Sequence, residues 1–81
     1  MEMDQITSRV RDLGLAAALV SAGFELKQTS YDSSGRAYFI FLQSDELDNA
    51  LNAYWTDALT VKARKYSDNI KMLKSRIYAE R

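Results

Sequence analysis

A chain of 81 residues, 47% hydrophobic and 27% charged, has the composition of one globular domain rather than of a disordered or multidomain protein. It contains neither cysteine nor histidine, so it offers no disulfide framework, no thiolate or imidazole for a metal, and neither a cysteine nucleophile nor a histidine base, which leaves a carboxylate site as the option for chemistry. The formal net charge is zero but unevenly placed: residues 1–61 carry four basic and nine acidic side chains, and residues 62–81 carry seven and two.

Residues 1–11 read as a polar arm in which Ile6, Ser8 and Val10 alternate as a short strand does. Met1 to Gln5 has neither the basic start nor the apolar core of a signal peptide, and the longest apolar window, Leu13 to Ala22, is too short to cross a bilayer. These features predict a soluble cytoplasmic protein that makes no use of a membrane.

The folded domain is expected over residues 12–79. Asp12 is placed to cap a helix over Leu13 to Ala22, which is rich in strong helix formers, and Gly23 is placed to end it. That helix is apolar nearly all round, so it is expected to be buried on more than one side. Phe24 to Tyr31 then begins with alternating apolar and polar residues, Asp32-Ser33-Ser34-Gly35 is dense in turn residues, and Arg36 to Gln43 is the return strand of a hairpin. The run Ala37-Tyr38-Phe39-Ile40-Phe41-Leu42 puts Ala37, Phe39 and Phe41 on one face and Tyr38, Ile40 and Leu42 on the other. Both faces are apolar, which predicts cover on both. A domain this small is short of helix for the second, so a partner strand, a third strand or a second subunit is expected to help supply it, which makes this run the best pointer to an interface.

Ser44 caps a second helix whose first turn carries Asp45, Glu46 and Asp48, and Leu47, Ala50, Leu51 and Tyr54 recur at helical spacing. Trp55 to Leu59 reads as a connector or a frayed end. Thr60 is the expected cap of a last helix from about Val61 to about Tyr78, buried through Tyr66, Ile70, Leu73 and Ile77. The expected architecture is an α+β domain with the order helix, antiparallel hairpin, helix, helix, preceded by a third strand if residues 4–10 form one.

Three residue groups bear on function. The acidic cluster Asp45, Glu46 and Asp48 complements a helix dipole and needs no catalytic or metal role. Lys62, Lys65, Lys71, Lys74 and Arg76 give the last helix a basic surface suited to nucleic-acid phosphates. At about 100° per residue, however, they spread over the whole side opposite the buried stripe, as solvated charges do. Tyr31, Tyr38, Tyr54 and Trp55, together with Ile40 and Leu42, have the size and amphipathic character of protein-interface anchors.

In Asp12-Leu13-Gly14-Leu15-Ala16-Ala17-Ala18-Leu19, Gly23-Phe24-Glu25-Leu26, Gly35-Arg36, Tyr38-Phe39-Ile40-Phe41, Val61-Lys62-Ala63-Arg64 and Leu73-Lys74-Ser75-Arg76-Ile77-Tyr78 the chain resembles a small family of uncharacterised domains from bacteria, phages and integrated mobile elements. The resemblance implies a mobile-element setting and brings no catalytic or binding residue with it. The resulting expectation is a non-catalytic protein-interaction module without cofactor or metal, acting on a protein partner or a second copy of itself, and in one form as an inhibitor or modulator of a host complex. The alternative is a nucleic-acid-binding accessory protein using the basic C-terminal helix.

Overall fold

Two short polar side chains start the first two helices of the computed structural model, which describes residues 6–79. The elements run β1 (Thr7–Val10), α1 (Leu13–Ser21), β2 (Leu26–Tyr31), β3 (Ala37–Leu42), α2 (Asp45–Trp55) and α3 (Ala63–Ala79). Asp12 Oδ1 accepts from the Leu15 N–H at 2.9 Å and Ser44 Oγ from the Leu47 N–H at 3.0 Å, each satisfying a backbone donor that the first helical turn leaves open.

The ends of α1 and α2 share one geometry with different residues. After α1, Phe24 N–H donates to Leu19 C=O at 3.0 Å and Gly23 N–H to Val20 C=O at 3.1 Å, with Gly23 at a φ of 107°. After α2, Ala58 N–H donates to Ala53 C=O at 2.7 Å and Asp57 N–H to Tyr54 C=O at 3.1 Å, with Asp57 at 61°. Both are Schellman closures, and only the first uses the residue type that adopts a positive φ without strain.

The hairpin closes through the side chain of Asp32. Its Oδ1 accepts from Ser34 N–H at 2.9 Å, Ser34 Oγ–H at 2.7 Å and Arg36 N–H at 3.0 Å, and Gly35 takes the positive φ of 85° that the turn needs. β3 is the middle strand of a three-stranded antiparallel sheet ordered β1-β3-β2. The third strand expected near residues 4–10 is thus β1; Asp4 and Gln5 lie outside the described residues.

Phe39 and Phe41, each 1% exposed, project from β3 into a core shared with Val10, Leu19, Leu47 and Leu73. α1 packs against α2, α3 and β1, which explains its apolar circumference: Leu15 through Leu19 are all buried. α3 contributes the predicted stripe of Tyr66, Ile70, Leu73 and Ile77. A polar link crosses the helix pair, with Asn69 donating to Ser21 Oγ at 2.9 Å and Ser21 donating to Ala17 C=O at 2.7 Å.

Four expectations are corrected in detail. The side of β3 bearing Tyr38, Ile40 and Leu42 is not part of the core and has no layer over it among the described residues, so this strand is covered on one face only. α3 begins at Ala63, where Lys62 rather than Thr60 occupies the capping position and its C=O accepts from Tyr66 N–H at 2.9 Å. Leu59 and Val61 instead line a cleft beside Tyr54 and Tyr66, and the helix starts only beyond them. Trp55 belongs to α2 rather than to the connector. β2 begins at Leu26 rather than Phe24, with an irregularity between Leu26 and Gln28 where Lys27 has no partner on β3.

Candidate functional site

Strand alternation builds the open face of the sheet. Tyr38, Ile40 and Leu42 form a half-buried row along β3, with Thr7 opposite Leu42 and Arg9 opposite Ile40 on β1, and Gln28 opposite Ile40 and Ser30 opposite Tyr38 on β2. The row is therefore an apolar strip one strand wide between two polar margins.

Charge gathers at the Tyr38 end. The Arg9 guanidinium carbon lies 4.9 Å from the centre of the Tyr38 ring and that of Arg11 lies 5.4 Å from it, so two cations share one aromatic ring. Arg11 also forms an ion pair with Asp32 at 2.6 Å. The Ser34 hydroxyl, the Arg36 N–H and the Arg11 guanidinium, in that order, hold the Asp32 carboxyl well below the usual carboxylate range. Arg9 has no carboxylate partner among the described residues, which leaves its charge available at the surface.

The predicted interface residues divide. Tyr38, Ile40 and Leu42 come together on the open face. Tyr31 points to the helical side, where its hydroxyl donates to Ile77 C=O at 2.7 Å and ties β2 to the end of α3. Tyr54 and Trp55 end α2, their rings edge to face with centroids 5.1 Å apart, and Trp55 is 66% exposed. Lys62, Lys65, Lys71, Lys74 and Arg76 are all exposed along α3 and its cap.

Arg9 and Arg11 are not among the candidate site residues of the sequence, and Asp32 is read there only as a turn residue. The available signal was the parity of β1: if Ile6, Ser8 and Val10 share one face, Thr7 and Arg9 must share the other.

A second feature lies on the helical side. Ala18, Tyr54, Asp57, Leu59, Val61 and Tyr66 line a cleft of about 380 Å³. Behind the tyrosines, a methyl group placed on Gly14 would stand 3.0 Å from Tyr66 Oη, 3.2 Å from Asp12 Oδ1 and 3.4 Å from Tyr54 Oη. Gly14 has no positive φ, so space rather than backbone conformation asks for glycine there. Burial first, then the charge of Asp12 and the neighbouring Tyr66, push the Tyr54 phenol above its ordinary pKa.

Among the described residues there is no cluster of metal-ligating side chains, and no helix is long and apolar enough to cross a membrane. No curated protein and no solved structure matches the chain. A family model does match residues 5–79, nearly the full length, and by that match the chain belongs to the family described as a domain of unknown function, DUF5659.

Proposed function

We propose that this domain is a non-catalytic protein-interaction module that presents the open face of its sheet to a partner protein. The observation that carries the reading is the asymmetry of β3: Phe39 and Phe41 are 1% exposed, while the equally apolar row of Tyr38, Ile40 and Leu42 lies outside the core. An apolar strip held on a rigid strand and bordered by Thr7, Gln28, Ser30 and two arginines has the layout of an interface centre with a polar rim.

The charge on that face favours an acidic partner over a second copy. A two-fold, face-to-face dimer with its axis along β3 would bring the arginines of both copies toward each other, whereas a carboxylate-bearing surface would meet Arg9, which has no carboxylate partner among the described residues. The mobile-element setting implied by the family resemblance makes a host protein complex, occluded or modulated by this face, the natural partner. A nucleic-acid role for α3 has less behind it, because the exposed cations of that helix are dispersed and do not form a single line of phosphate contacts.

The test compares capture of proteins from lysate of the source cells by the native domain, by Ile40→Lys and by the double substitution Lys71→Glu/Lys74→Glu. A protein retained by the native domain and the α3 variant but lost with Ile40→Lys is the expected result. Loss with the α3 variant alone would move the interface to the basic helix.

A further inference from the structure

We propose that the cleft between the end of α2 and the start of α3 binds an organic cation: a guanidinium or primary ammonium group carried on an apolar stem. This inference concerns the helical side of the molecule and does not depend on the function assigned to the sheet face.

The lining combines the parts such a ligand needs. Ala18, Leu59 and Val61 contribute apolar wall, Tyr54 and Tyr66 are its two aromatic residues, and Asp57, exposed to solvent, is its one acidic residue. The cavity of about 380 Å³ falls within the roughly 300–1,000 Å³ of small-ligand sites. Aromatic faces attract cations, and they do so more strongly where the cation is partly withdrawn from water.

Charge selects the sign of the ligand. No basic residue lines the cleft, and behind its two tyrosines the Asp12 carboxylate faces the same space above Gly14 as both tyrosine hydroxyls. The ion pairs among the described residues are Arg11–Asp32 and Lys27–Glu25, so within that set neither Asp12 nor Asp57 has an ion-pair partner. Arg11, next to Asp12 in the chain, is paired with Asp32, and Lys62 and Lys65, the nearest cations to Asp57 along the chain, are exposed and form no ion pair with it.

Asp57 also sits at the C′ position of α2 with a φ of 61°, where glycine would be free of strain. Trp55 gives the cleft a built-in reporter, since it is the only tryptophan and its ring abuts that of Tyr54.

The same cation could arrive as a free amine or guanidine, or as an arginine side chain of another protein, and the probes separate these sources. Tryptophan fluorescence is titrated with n-butylguanidinium, with its uncharged counterpart n-butylurea, and with a blocked Gly-Arg-Gly peptide. The expected result is a saturable change with butylguanidinium, none with butylurea over the same range, and about tenfold weaker binding to Asp57→Asn. Asn tolerates the left-handed conformation, so this substitution removes charge while keeping the turn. Asp45→Asn, at the other end of α2, is expected to bind as the native domain does.

Peptide binding at least as tight as that of butylguanidinium identifies a protein side chain as the source, and binding of the small cation alone identifies a free ligand. An equal response to butylurea, no response to any probe, or unchanged affinity in a folded Asp57→Asn variant overturns the proposal.

Discussion

Thr29 carries a hydroxyl that is buried without a hydrogen-bond partner, on β2 directly opposite Phe39. Desolvating a hydroxyl without replacing its bond to water is unfavourable, so Thr29→Val, nearly the same shape, is expected to raise stability by about 1 kcal/mol in urea unfolding. A loss of stability would contradict the assignment of that hydroxyl as unpaired. Asp57 offers a second gain. Its φ of 61° is costly for a side chain with a Cβ, and Asp57→Gly is expected to add about 0.5–1 kcal/mol while weakening any cation bound in the cleft. In the opposite direction, Phe39→Ala removes a ring that is 1% exposed and is expected to cost about 3–5 kcal/mol. For a domain this small that is most of the stability, and the expected outcome is a largely unfolded protein by circular dichroism.

At the level of elements, the turn between β2 and β3 stands on a charged acceptor. The folded state holds the Asp32 carboxyl below its unfolded value, so the stabilisation is fully present above the unfolded pKa of about 4 and is lost as pH falls through the folded one. Asp32→Asn keeps an acceptor but removes the charge. The stability difference between native domain and variant is therefore expected to be largest near neutral pH and to narrow below about pH 4. A difference that stays constant on acidification would show that the charge contributes nothing.

The devices legible in the sequence are those in which one residue type does one job: Asp12 and Ser44 as caps, Gly23 and Gly35 as left-handed positions, and alternation along β3. The end of α2 was less legible, because Asp57 fills a place that glycine usually marks. The start of α3 is less legible because Thr60 looks like a cap, whereas the helix begins at Ala63, beyond Val61, which lines the cleft.

The whole molecule has one covered sheet face and one open face, and an apolar row in a sequence reads the same in either place. Alternation sorts Tyr38, Ile40 and Leu42 onto one side, and the small size of the domain points to too little helix for both sides; which side stays open is what the structure adds. The arginines over Tyr38 are obscured in the sequence because Arg9 reaches that ring from β1 and Arg11 from just beyond its end, across the sheet rather than along the chain. One-sided cover has a measurable consequence. Ile40→Lys is expected to change unfolding free energy by less than about 1 kcal/mol, because the lysine stem can lie along the strip with its ammonium in water. A loss comparable to that of Phe39→Ala would mean that the open face is part of the core.

Site-specific photo-crosslinking tests the central claim most directly: a photoreactive phenylalanine analogue is placed at position 40 and, in a separate variant, at the exposed position of Ser75 on α3, and both are irradiated in the source cells. The account predicts an adduct with one protein from position 40, lost when Tyr38→Ala and Arg9→Glu are added, and none from position 75. An adduct from position 75 alone, or no adduct from position 40, would contradict it.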